Sequence, residues 1–273
     1  MRSSTDTIAL DRPPLGDAVP LAVKEVIPGP AVIVKRTFDP TFLNTVVNHP
    51  DVRPWLKGEG ELDVSHQTYN PGNFALVTER GGFLLIHHEP GRYEVHSQFL
   101  PGNGTHPVRA MIEAQEWMFT RTDCEAIVSV VPWDNERAKG FAQMGGLRKI
   151  FTGDTADYVE LTLMDWAMRT AALEAHGERF HSFVEAVKRD HAVEWPDHPE
   201  DPAHNRAAGA SLLMIERGQV AKGVAFYNRW ARMAGYSLIT LLSDSPPTID
   251  MSENGAQFAI GIGANGMEAL LCR

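Results

Sequence analysis

The stretch from Asn73 to Arg121 leaves this chain the fewest choices. NFALVTE, FLLIHHE and RYEVHSQFL are rich in β-branched and aromatic residues and are separated by short turns at Arg80 to Gly82 and Glu89 to Gly91, which predicts an antiparallel meander. The third strand runs straight into Pro101-Gly102-Asn103-Gly104-Thr105-His106-Pro107. Beyond it Val108, Met111, Ile112, Met118 and Phe119 fall on one helical face, with Pro107 in the first turn. Strand, glycine loop and helix N-terminus follow one another without a linker.

The flanking text extends this frame to residues 31–164. AVIVKRTF reads as a strand, and Asp39 can cap a helix that carries Pro40 in its first turn and buries Phe42, Val46 and Val47. AIVSVVP, residues 126–132, reads as a buried strand, and residues 135–144 read as a helix closed by Gly145 and Gly146. LRKIF and DYVELTL complete a strand pair. The order β-α-βββ-α-β-α-ββ predicts an α/β fold with a mixed sheet and helices on both faces.

Residues 1–30 are proline-rich and show no period, so they read as an N-terminal arm. Residues 165–273 read as an extension. It comprises a helix over 165–189, a loop rich in Pro and Asp, a helical hairpin turning at Gly218, and three strands in SLITLLS, QFAIGI and MEALLCR. The hairpin carries Leu212, Leu213, Ile215, Val224, Phe226, Tyr227 and Trp230, more apolar surface than two helices hide from water. Association with a second copy or another protein is expected, with packing on the first domain as the alternative.

Charge and cysteine content narrow the function. With 25 basic against 35 acidic residues the net charge is −10, which opposes a nucleic-acid backbone. Two cysteines make neither a disulfide framework nor a four-thiolate zinc site. No signal-peptide core and no run of about 18 apolar residues is present, so a cytoplasmic protein with no membrane partner is expected.

HSQFLPGNGTHPVRAMIEAQEWMF resembles the pyrophosphate loop and following helix of the GNAT superfamily of acyl-CoA-dependent N-acyltransferases, and VPWDNERAKGFAQMGGL resembles its next strand and helix. NHPDVRPWL, GGFLLIHH, YEVHSQFLP and TDCEAIVSVVP are together similar to GNAT-like chains of tailed bacteriophages, which would place the chain in a host cytoplasm or a virion. The resemblance implies acetyl-CoA or another acyl-CoA as co-substrate and an amine as acceptor. It implies that Gly102, Asn103, Gly104 and Thr105 hold the pyrophosphate, that main-chain groups of Ser97, Phe99 and Leu100 meet the thioester arm, and that Asn135 opens the second motif with Ala138, Gly146 and Leu147. The departures are concrete: Pro101 stands where the family loop has Arg or Gln, His106 where it has Gly or Ala, and Ala142 where a tyrosine commonly protonates the departing thiolate. A catalytically inactive scaffold that serves as a binding or structural protein is the alternative.

Strict alternation sends Tyr93, Val95, Ser97 and Phe99 to one face of the third strand and Glu94, His96 and Gln98 to the other. An amine must be neutral to attack a thioester, so Glu94 or His96 is the candidate base. Neighbours in the strand, His87 and His88 face opposite ways, and strand packing is expected for both. Trp133 either falls where a pantetheine arm would run or simply packs, and His49, Arg53 and Trp55 either wall an acceptor pocket or hold their own loop. His191, His198 and His204 with Asp190, Asp197 and Asp201 match no established ligand spacing, so no metal is expected.

Overall fold

The computed structural model describes residues 31–56, 58–178, 201–236, 239–242, 248–251, 257–263 and 266–272. The arm over 1–30 and most of the acidic loop, with Asp190, His191, Asp197 and His198, lie outside the described residues.

Seven strands form one sheet in the order β1-β2-β3-β4-β5-β7-β6. They are β1 (Lys35–Thr37), β2 (Phe74–Thr78), β3 (Gly81–Glu89), β4 (Arg92–Phe99), β5 (Ala126–Pro132), β6 (Arg148–Thr152) and β7 (Ala156–Thr162). All pairs are antiparallel except β4 with β5. The parallel pair is joined by α3 (His106–Arg121), as a crossover requires. This is the mixed sheet expected from the sequence.

On one face lie α1 (Thr41–Val47) and the short α2 (Ser65–Tyr69). Asp39 stands one residue ahead of the N-cap Pro40 rather than at the cap itself; its Oδ1 accepts the Thr41 N–H at 2.9 Å, and hydrogen bonds from the Thr41 side chain and main chain hold the carboxyl below its ordinary pKa. Leu43 of α1 packs with Ala75 and Leu84. The other face carries the main core, in which Leu76, Phe83, Leu85, Tyr93 and Ile127 meet Val108, Met111, Met118 and Phe119 of α3 and Ala142 of α4 (Glu136–Met144).

That same core continues into the extension. The helix α5 (Leu163–Arg169) begins two residues earlier than the pattern at Asp165 suggested, because Thr162 accepts the Asp165 N–H at 3.1 Å. It ends at Thr170, whose hydroxyl donates back to Trp166 O, and helix resumes over 172–178. One continuous helix over 165–189 is therefore replaced by two, and 179–189 is outside the described residues. Helices α6 (Pro202–Glu216) and α7 (Val220–Ala234) form the expected hairpin. Gly209 lets α6 approach the preceding helix, since a Cβ there would lie 2.0 Å from Leu173 O.

The hairpin's apolar residues Leu212, Leu213, Ile215, Val224, Phe226, Tyr227 and Trp230 are all buried within the chain. The surface that pointed to an outside partner is covered by the chain's own core, so it no longer argues for association. Polar contacts fix the docking. Lys222 Nζ donates to the carbonyls of Phe119 at 2.8 Å, Thr122 at 2.8 Å and Cys124 at 2.5 Å, and Arg217 pairs with Glu116 at 2.8 Å. A cation thus sits on the C-terminal carbonyls of α3, where the helix dipole favours it.

A second, antiparallel sheet has the order β11-β10-β9-β8. Its strands are β8 (Ile239–Leu242), β9 (Thr248–Met251), β10 (Gln257–Gly263) and β11 (Gly266–Cys272). The sequence pattern missed β9, which follows Pro246 and Pro247 immediately. No helix among the described residues is long and apolar enough to cross a membrane.

Candidate active site

The parallel contact between β4 and β5 is short. It comprises Arg92↔Ala126, Tyr93↔Ile127 and Glu94↔Val128, and stops there. Beyond that point β4 stays with β3 as far as Gly81↔Phe99, while β5 stays with β7 as far as Pro132↔Ala156. Each strand follows its outer neighbour, so a gap opens between their C-terminal halves. At the fork Ser129 Oγ donates to Val95 O at 3.2 Å.

Main-chain directions follow from alternation. The Val95 and Gly91 carbonyls point to β5, whereas the Leu100 N–H points the other way, to Arg80 O at 3.0 Å. Odd-numbered residues of β4 therefore direct N–H and C=O toward β5. For Ser97 and Phe99 β5 has already moved off, so their main-chain groups face the gap.

The gap leads to the glycine loop. Gly102 and Gly104 have φ of 77° and 52°, and a Cβ on either would meet nothing within 4 Å. The loop backbone is thus open to an approaching ligand at both places. Asn103 braces the turn by donating its Nδ2 to Leu100 O at 2.5 Å, while its own carbonyl accepts the His106 N–H at 3.0 Å. Thr105 occupies the N-cap of α3 without a side-chain cap; the His106 N–H is taken by Asn103 and Pro107 has none, so of the first three helical residues Val108 keeps an amide without an intrahelical partner.

His106, aligned with a small residue of the family loop, does not obstruct it. Its ring is buried and its Nε2 lies 3.0 Å from Thr78 Oγ1. Burial lowers the imidazole below its ordinary pKa, with the nearby Arg109 and Arg80 adding to that against Glu79. Arg80 and Arg109 are cationic neighbours of the loop that sequence reading passed over. Only the close β2–β3 turn, bringing Arg80 beside Leu100, reveals the first.

Glu94 and His96 share a face of β4, as alternation predicted, and α1 packs over β3 and β4 on that side. Glu94 Oε1 is 3.5 Å from His96 Nε2, and Glu94 Oε2 is 3.4 Å from His88 Nε2. His88 was expected only to pack; the structure brings it to the carboxylate. His87 faces away, edge-on to Tyr93 with ring centroids 5.3 Å apart. Gln98, next in the row, is buried and its Oε1 has no hydrogen-bond partner among the described residues.

The other candidates do different work. Arg53 directs its guanidinium to the carbonyls of Leu56, Gly58 and Gly60, and His49 Nδ1 accepts the Asp51 N–H, so both hold their loop. Trp55 is exposed. Asn135 caps α4 by accepting the Ala138 N–H at 3.0 Å, and Trp133 is half-exposed with its carbonyl taken by Lys139 Nζ. Ala142 is buried in the core. Asp201 caps α6 and His204 lies 3.0 Å from Tyr227 OH, which gives both a structural role. Among the described residues no group of three His, Cys, Asp or Glu could hold a metal ion.

No protein-family model matches the chain, and no curated protein matches it. Solved structures do resemble half of it. A spermidine N-acetyltransferase from Vibrio cholerae in complex with CoA and spermine is 14% identical, covers 50% of this chain and 98% of that one, and gives a TM-score of 0.41. An aminoglycoside acetyltransferase in complex with coenzyme A and kanamycin is 14% identical over 50% of this chain and 96% of that one, with a TM-score of 0.43. A GNAT-family acetyltransferase from Bacillus anthracis is 14% identical over 50% of this chain and 98% of that one, with a TM-score of 0.40.

Proposed function

We propose that the chain is a GNAT-like N-acyltransferase that moves an acetyl or other small acyl group from acyl-CoA to an amine acceptor. The observation that carries this reading is the fork between β4 and β5, which opens onto a glycine loop at a helix N-terminus. A pantetheine arm would lie in the fork against the main-chain groups of Ser97 and Phe99, with Leu100 at its end. The pyrophosphate would take amides from Gly102 to Thr105, where the α3 dipole favours an anion. Gly102 and Gly104 suit that group because nothing stands over their Cα atoms. Asn135 would contribute by fixing the start of α4 beside the arm.

The chemistry is direct transfer. The amine nitrogen attacks the thioester carbonyl, its proton passes to Glu94 or His96, and the C–S bond breaks with the electron pair leaving on sulfur. A main-chain N–H in the stretch from Ser97 to Phe99 would polarise the carbonyl. Ala142 supplies no proton to the leaving group, but a thiolate departs without one far more readily than an alkoxide would.

Calorimetric titration with acetyl-CoA and with CoA tests the reading. Micromolar binding of both, followed by acetyl transfer to an amine panel, is the expected result. No heat and no thermal shift at millimolar ligand would instead favour a scaffold without the chemistry, such as a bacteriophage virion component.

A further inference from the structure

Pairing between β3 and β4 shifts register between His87 and Glu89, which leaves His88 as the extra residue of a bulge. Leu84 and Ile86 oppose His96 and Glu94, so alternation sets His88 on their face. There the imidazole meets Glu94 on the carboxylate oxygen that His96 does not use. Both rings are well exposed, with His88 at 62% and His96 at 47%, whereas Glu94 is the enclosed member at 23%.

Few other charges reach this group. On β4 Arg92 turns to Glu160 of β7 at 2.9 Å and to Glu89 of β3 at 3.5 Å. The facing positions of β5, Val128 and Val130, and all of α1 from Thr41 to Val47 carry no ionisable side chain. Among the described residues the carboxylate therefore pairs with its two histidines.

Resting on the acyl-transfer reading above, we infer that His96 is the base through its Nδ1, that Glu94 fixes its tautomer, and that His88 is a positioning residue for Glu94. An ionised carboxylate only accepts hydrogen bonds, so a neutral ring that faces it with Nε2 must carry its proton there. The lone pair of His96 is then on Nδ1. Each Glu94 oxygen already faces one ring, which leaves the carboxylate poorly placed to take the acceptor's proton itself. In the transfer, the C–N bond forms, the amine proton goes to His96 Nδ1, and the C–S bond breaks. The imidazolium so made rests against Glu94. The present separations are longer than a closed hydrogen bond, as is common before substrate binds.

The test compares the wild type with His88→Ala, His88→Gln and Glu94→Gln. Nitrogen-15 NMR of His96 reads the tautomer independently of turnover and is expected to find Nε2–H in the wild type and a mixture in Glu94→Gln. In steady-state kinetics His88→Ala should lower kcat about tenfold with both KM values unchanged, and His88→Gln, which keeps an N–H donor, should recover most of the loss. A wild-type His96 protonated on Nδ1, or a His88→Ala enzyme with wild-type kcat, overturns the assignment. If no amine is acylated by the wild type, the acyl-transfer reading fails by itself, and the tautomer result still decides whether His88 and Glu94 orient His96.

Discussion

Substituting Gly104 by Ala separates what the loop does for the fold from what it would do for a ligand. Its φ is 52°, and the added methyl meets nothing within 4 Å, so the cost to the free protein is the left-handed backbone alone. That is about 1–2 kcal/mol for a residue with a Cβ, or a fall in Tm of about 2–8 °C in a chain of this size. Gly235 offers a matched control. It ends α7 with φ 79° and equally open surroundings, so Gly235→Ala should carry the same stability cost. The two variants part in their affinity for CoA. If the Gly104 backbone lies against a phosphate, the methyl occupies the space of the anion and forfeits a charge-assisted hydrogen bond worth about 1.5–3 kcal/mol. The dissociation constant should then rise about 10- to 150-fold for Gly104→Ala and stay at the wild-type value for Gly235→Ala. Differential scanning fluorimetry and calorimetry on the same preparations supply both numbers. Equal CoA affinity in the two variants would refute the placement of the pyrophosphate.

Three further outcomes follow from the packing. Because burial holds the folded His106 below the ordinary imidazole pKa, its contribution to stability is complete above about pH 6.5 and is lost as pH falls below it; urea midpoints should drop from pH 7.5 to 5.5, and His106→Asn should flatten that slope. Lys222→Met removes the cation from three carbonyls and should cost about 2–4 kcal/mol in urea unfolding, with a single transition because one core spans both parts of the chain; two separated transitions would contradict the shared core, as would a soluble, folded fragment ending at Met168. Gln98→Met replaces an amide whose buried oxygen has no partner among the described residues and should raise Tm by recovering about 1–3 kcal/mol; an unchanged or lower Tm would mean that the amide is satisfied in solution.

Much of the architecture was legible because local signals and global fold agree. The meander and the helix around Pro107 each rest on short-range patterns, and each occurs where those patterns placed it, while Asp39 meets the start of α1 one residue ahead of its cap. The faces of β4 were legible too, since the ladder keeps a period of two through Glu94 and His96. Long-range facts were not. Which of His87 and His88 shares a face with Glu94 depends on how β3 registers with β4, and two adjacent histidines read identically in either register. The start of α5 lies two residues ahead of Asp165 although Thr162-x-x-Asp165 is a local capping signature, because the helix straddles the change in composition at 164/165. Burial of the hairpin was misjudged for a plainer reason: an apolar helix face says that something covers it and cannot say what.

The extension bears on the site through α3. That helix presents its N-terminus to the loop at Gly102 to Thr105, while its C-terminal carbonyls receive Lys222 and its side residues Glu116 and Thr120 receive Arg217. Sixteen residues at 1.5 Å per residue put about 24 Å between the two ends. Over that length a helix with one frayed end still pivots about its packing, and an anion site made of main-chain amides is only as fixed as the helix that bears them. The loop itself has little to hold it: Asn103 braces it internally, Gly102 and Gly104 contribute no side chains, and His106 ties only its inner edge to Thr78. Stiffness must then come from α3, and α3 obtains it from the sheet along its side and from α6 and α7 at its far end. On this account α6 and α7, acting through α3, would help to hold the proposed anion site in place.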